Sequence, residues 1–454
     1  MKIFIKLSII GFLWLGLISC NEILEPQPVD LLSDELVLNE PNDVGSVEIG
    51  LYSAFRSIAA PKVIAGDFTA DMLIHNGTFT QYREFGNKQI TSANGSVAAM
   101  WGSIFRTIYV ANFILEKLPE IQGVPASQRI SVQATARFLR GYAYFVAAHT
   151  YGGVPIVTTT DLAFNRNIPR NSKEDVLAFA YEDYLAALEG IPEEAANPAF
   201  VSQNAVRAAL ARFHLYNENW PLAEDFATQV INSGAYSLVE NYADIVLRDF
   251  TNEAILEVGY SFADDPGTST NFGLNNLFVG RREIIPSNEA VFALFSNESG
   301  DRRRSVGFNS ENLSGRDNGW KVLKYGTADE DNNNILVFRL AEMYLIRAEA
   351  RARLGNVNGP GSAEEDVNIL RARANAPSVI ANNQNQMISA IERERLYEFA
   401  FEGHRWYDLV RTGRANEVMS NYSRNWSDKY LVWPIPLSEI QNNPALAGNQ
   451  NPGY

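Results

Sequence analysis

The chain has 454 residues, 46% hydrophobic and 20% charged, a balance that supports a sizeable packed core and excludes an intrinsically disordered chain. Its formal charge is −15, from 38 Lys and Arg against 53 Asp and Glu. The longest basic run, Arg302–Arg304, follows Asp301 and reads as a loop edge, so no nucleic-acid partner is expected. A single cysteine excludes an intramolecular disulfide framework, a Cys-rich zinc site and a CxxC redox motif.

Residues 1–19 read as a signal peptide. Lys2 and Lys6 precede an apolar stretch, Leu7–Ile18, that is too short for a typical transmembrane span. Leu17-Ile18-Ser19-Cys20 then resembles a bacterial lipobox, which makes Cys20 the expected acylation site. Residues 20–42 carry Pro26, Pro28 and Pro41 and read as a tether. No later segment is expected to span a bilayer, so the reading is a soluble body held at a membrane by lipid.

From residue 43 the chain reads as mostly α, with helices in pairs. Val44–Ile58 is expected to pair with Val97–Leu118 across an irregular stretch, 59–96. Ala134, Phe138, Gly141, Phe145 and Ala148 form one stripe that stops at Gly152-Gly153, and its partner is "KEDVLAFAYEDYLAALEGIP". Val206, Ala209, Phe213 and Tyr216 form another; Asn219-Trp220-Pro221 restarts the chain into Ala223, Phe226, Ala227 and Val230, ending near Gly234. Residues 236–335 are expected to be an irregular insert with strand-like runs at Ile255–Tyr260 and Lys321–Tyr325. Phe338, Ala341, Leu345, Ala348 and Ala352 make a last stripe, ended by Gly355, with a partner in 362–375. Small and large residues alternating on paired helices fit a tetratricopeptide-like scaffold, and the long inserts exclude a regular solenoid.

The chemistry-bearing residues are sparse. His75, His149, His214 and His404 lack metal-ligand spacing, and no metal or cofactor is expected. Glu394, Glu398 and Glu402 fall four apart on one helix face, interleaved with Arg393 and Arg395; they read as structural ion pairs rather than two carboxyls across a cleft. Asp329–Asn334 lacks the glycine and the terminal acid of an EF-hand and reads as a solvated loop. Aromatic residues in polar loops are the useful signal, because sugars offer apolar C–H faces ringed by hydroxyls. One such stretch supplies Asp71, Asn76, Phe79, Tyr82 and Arg83; the other supplies Phe308, Asn318, Trp320 and Tyr325. Trp320 is the preferred platform. Each aromatic has the alternative role of anchoring its loop to the helical body. Trp101, Trp220 and Trp406 lie in helical motifs and are expected in the core.

"ATARFLRGYAYFVAAHTYGGVPIV", "AALARFHLYNENWPLAEDFATQVINSGAYSL", "FRLAEMYLIRAEARARLG", "IERERLYEFAFEGHRWYDLVRTG" and "WPIPLSEIQNNPALAGNQNPGY" resemble, in order, segments of the SusD/RagB family. The resemblance divides the chain into an N-terminal region at 43–235 and a C-terminal region at 236–454 that carries the 236–335 insert. It implies an outer-membrane lipoprotein facing the cell exterior, without catalytic activity. Such a protein binds an oligosaccharide, or in RagB-like cases an oligopeptide, and delivers it to a SusC-like TonB-dependent transporter. The ligand residues of that family lie outside the shared motifs, so none is carried over.

Overall fold

In the computed structural model the described residues are 38–259, 273–327 and 334–454; Cys20, most of the expected tether and residues 329–333 lie outside them. The first stripe forms helix α1 (Asp43–Phe68), which buries Val44, Val47, Leu51, Phe55 and Ile58. Contrary to the expected break at residue 59, α1 continues through Pro61. Val63, Ile64 and Phe68 beyond the proline are buried, and that packing outweighs the backbone hydrogen bond that proline removes. Strand β1 (Leu73–His75) and helix α2 (Thr80–Asn87) follow, so much of 59–96 is regular.

Helix α3 (Gly95–Lys117) packs on α1 and is capped by Asn94, whose side chain accepts from the Ser96 N–H. With its following turn, α3 is long and apolar enough to cross a membrane, which corrects the expectation that no later segment would be. Packing between helices explains that apolarity, because Val97, Met100, Ile104, Ile108 and Ala111 are all buried.

Helices α4 (Ala126–Tyr151) and α5 (Lys173–Gly190) pack along much of their length. Gly141 permits the approach: a Cβ there would lie 3.0 Å from the Ala180 carbonyl oxygen. Helices α6 (Gln203–Tyr216) and α7 (Trp220–Asn232) form the next pair, with Pro221 in the first turn of α7. Trp101 and Trp406 are buried as expected. Trp220 is only half-buried, and the Arg353 guanidinium lies 5.3 Å from its ring centre.

The stretch expected to be an irregular insert contains several short elements. These are β2 (Ala254–Val258), β3 (Ile284–Pro286), α8 (Asn288–Leu294), β4 (Val306–Phe308) and β5 (Trp320–Val322). Then come β6 (Ile335–Arg339), α9 (Leu340–Arg353), α10 (Ala363–Arg373), α11 (Gln384–Glu398) and α12 (Arg405–Arg411). The strands pair antiparallel, β1 with β3, β2 with β6 and β4 with β5. Phe338, assigned by spacing to a helix, lies in β6, where it packs under the helices as a strand residue.

The pairs α1/α3, α4/α5, α6/α7 and α9/α10 stack in succession, with α3 on α4, α5 on α6 and α7 on α9. This is the mostly α, tetratricopeptide-like scaffold, with few short strands beside it. Its main apolar core runs from α1 to Trp433 and Leu446. A smaller one, including Leu345, Val367, Leu370 and Ile391, fills the space between α9, α10 and α11.

Candidate functional site

A catalytic reading would need the carboxylates at the end of α11. Glu394, Glu398 and Glu402 are all buried, but α11 ends at Glu398, so Glu402 lies in the following turn and not on the expected helix face. Glu398 accepts from Arg302 Nε at 2.8 Å, from Arg339 Nη1 at 2.6 Å and from Arg373. Glu394 binds Arg302 and Arg371, and Glu402 binds Arg339 and Lys324. Burial would raise the Glu398 carboxyl, but Arg373, Arg339 and Arg302 hold it well below the usual carboxylate range. These are structural ion pairs, although their partners are not those that spacing suggested. Arg393 reaches exposed Glu298, and Arg395 binds Asp408. Arg302, read as part of a loop edge, is fully buried in this network, whereas Arg303 and Arg304 are exposed.

The two aromatic stretches meet in space. β1 pairs with β3, His75 opposite Ile284, and this sets the 76–79 loop against Glu283. The Glu283 carboxylate is buried and accepts from the N–H groups of Thr78 at 2.7 Å and Phe79 at 3.0 Å. Asn76 Nδ2 donates to the Arg282 carbonyl at 2.8 Å and to Asp317 Oδ2 at 3.1 Å. Arg282 clamps both oxygens of Asp317, donating from Nε to Oδ2 at 3.0 Å and from Nη2 to Oδ1, and Nη2 also donates to the Trp320 carbonyl at 2.9 Å. Burial works to raise the Asp317 carboxyl, but hydrogen bonds from Arg282 and the Gly319 N–H bring it below its ordinary value. Residues 241 positions apart in sequence are thereby joined in one polar frame.

That frame holds an aromatic cluster at the loop end of the β4–β5 hairpin. Val306 and Val322 pair at its buried end, and Phe308 pairs with Trp320 at the other. The Phe308 and Trp320 ring centres lie 5.0 Å apart at 51°. Phe295, just after α8, lies 5.0 Å from Trp320 at 57°. Phe295 and Phe308 are 51% and 53% exposed, and Trp320 between them is half-buried. Gly319 is required here. Its φ is +79°, and a Cβ would sit 2.6 Å from the Phe308 ring. Asn318 fixes the turn: its Nδ2 donates to the Pro286 carbonyl at 2.9 Å and to Asn288 Oδ1 at 3.0 Å, while its Oδ1 accepts from the Trp320 N–H at 3.1 Å.

The remaining candidates divide by burial. Tyr82 is buried among Phe68 and Phe79 and anchors α2 to the core. Tyr325 is buried as well: it stacks on Phe278, and its hydroxyl donates to the Phe401 carbonyl at 2.6 Å. Neither ring is presented to solvent, because each has a core pocket to fill. Asp71 is engaged by Arg405 at 2.9 Å. Phe79 is half-buried under the Arg281 guanidinium, and Arg83 is exposed. Sequence reasoning missed Phe295. Ser287, which caps α8 by accepting from the Ala290 N–H, was the signal that could have placed this phenylalanine at the end of a short helix.

A sequence profile of the SusD family matches residues 320–454, and one described as "Starch-binding associating with outer membrane" matches residues 30–215. SusD-like protein P38 of Formosa agariphila is 27% identical, with 98% of each chain covered. Starch-binding protein SusD of Bacteroides thetaiotaomicron is 24% identical over 76% of each. Among solved structures, a laminarin-binding SusD-like protein superposes with a TM-score of 0.78 at 23% identity, covering 92% of this chain and 100% of that one. A SusD superfamily protein of Bacteroides vulgatus superposes with the same score at 22% identity, covering 89% and 98%. With two profiles of one family spanning most of its length and full-length relatives of the same kind, this chain belongs to the SusD/RagB family.

Proposed function

We propose that this protein is a non-catalytic oligosaccharide-binding protein of the outer membrane that passes its ligand to a SusC-like TonB-dependent transporter. The observation that carries the reading is the Phe295–Trp320–Phe308 cluster, half in water yet held by a closed set of hydrogen bonds. Stacking on sugar C–H faces needs such a preorganised apolar surface. Two half-exposed phenylalanines leave roughly 200 Å² of ring surface, worth up to about 5 kcal/mol if wholly covered. The family profile named for starch binding at the outer membrane, and the starch-binding relative, support the same ligand class. Commitment of Glu394, Glu398 and Glu402 to buried ion pairs supports binding without hydrolysis. In this reading Cys20 carries the lipid, and the body faces the cell exterior.

The test is calorimetric titration of wild type and Trp320→Ala with oligosaccharides and with peptides. The reading expects oligosaccharide binding that is lost in Trp320→Ala while the far-ultraviolet spectrum is unchanged. Binding of peptides alone, or equal sugar affinity in the variant, would overturn it.

A further inference from the structure

Positive charge gathers at the 75–79 loop and the β4–β5 loop, which join in the polar frame behind the aromatic cluster, although the chain as a whole is acidic at −15. Arg281 is exposed, and its guanidinium lies 4.7 Å from the Phe79 ring centre. Arg83 on α2 and Arg316 in the β4–β5 hairpin are exposed too. Both act on His75: burial lowers the imidazole pKa, Glu283 opposes this, and the charges of Arg83 and Arg316 lower it further. Chain segments remote in sequence therefore bring these guanidiniums to the loop that Asn76 ties to Asp317.

The two carboxylates that build the frame are already committed. Glu283 is buried and accepts from two backbone N–H groups, with Arg281 at 3.4 Å. Asp317 is clamped by Arg282. Three exposed guanidiniums lie on the solvent side of this frame, that of Arg281 sharing Glu283 with the backbone, and they face the exposed carboxylates of the same region, Glu289 of α8 and Glu311 of the hairpin loop, as their competitors for an anionic ligand.

We propose that the ligand of this site is an anionic oligosaccharide, whose sugar face stacks on Trp320 and Phe308 while its acidic groups sit among Arg83, Arg281 and Arg316. This rests on the oligosaccharide-binding reading and narrows it. The planar guanidinium fork matches carboxylate and sulfate oxygens alike. Being exposed, each Arg contributes modestly and is screened by salt. The aromatic surface then supplies most of the affinity, and the guanidiniums select for charge.

The experiment titrates the protein with three hexasaccharides: a neutral β-glucan, an oligogalacturonate and a sulfated galactan. One or both acidic probes are expected to bind about tenfold more tightly than the neutral one, and to weaken as salt rises from about 0.05 M to about 0.5 M. Which acidic probe binds distinguishes carboxylate from sulfate. Arg83→Ala and Arg316→Ala should each cost about fivefold for the acidic probe, and more for it than for the neutral one; an equal loss for both probes would count against charge selection. Equal, salt-independent affinity for neutral and acidic probes would overturn the proposal and leave the oligosaccharide reading in place. Failure of all three to bind wild type would sink both.

Discussion

Replacing Glu398 by Gln removes a carboxylate shared by three guanidiniums, those of Arg302, Arg339 and Arg373. The side chains of all four are buried, so the freed N–H groups have no water to turn to. Each Arg keeps another partner: Glu394 for Arg302, Glu253 and Glu402 for Arg339, and Glu253 for Arg373. The loss is therefore that of one carboxylate and not of the whole network, about 3–5 kcal/mol for a buried pair broken from one side. Urea unfolding followed by circular dichroism, extrapolated to water, measures it. The sign of the pH dependence follows from the depressed carboxyl. Its contribution is full above the ordinary value of 4.5 and is lost as pH falls through the lower folded value, so wild type and variant converge in acid. Oligosaccharide affinity of the folded variant should equal that of wild type. A stability change below about 0.5 kcal/mol would refute the structural role. Hydrolysis of a glycan by wild type, abolished in Glu398→Gln, would refute the non-catalytic reading.

Gly403→Ala should destabilise the fold by roughly 2–5 kcal/mol, because φ is +75° and a Cβ would sit 2.6 Å from Val63 Cα in α1. An unchanged denaturation midpoint would contradict that packing. Cys20→Ala should move the protein from the membrane fraction to the soluble fraction of cells without altering ligand affinity, and retention with membranes would count against the lipid anchor.

The scaffold was legible in the sequence where burial follows a local period. The stripes of α4, α6 and α7 repeat every three or four residues, and Gly152 and Pro221 mark their ends and starts. Legibility failed where tertiary packing overrode local signals. Pro61 ordinarily ends a helix, but Val63, Ile64 and Phe68 hold α1 together beyond it. Phe338 fits the helical spacing of α9 but pairs in a strand, because β2 offers it a partner from a remote part of the chain. The site was harder to read for a related reason. A tyrosine in a polar loop is spelled the same whether it faces water or fills a core pocket, so Tyr82 and Tyr325 could not be told from Trp320. The contact between Asn76 and Asp317 spans 241 residues, and no local pattern announces it.

The most direct test of the central claim is a crystal structure of the protein with a bound oligosaccharide. The account predicts a pyranose ring stacked on the Trp320 indole at about 4 Å, flanked by Phe308 or Phe295. A ligand seated elsewhere would contradict it, for example in the cavity of about 110 Å³ lined by Arg395, Phe399 and Arg411, which shares no residue with the aromatic cluster.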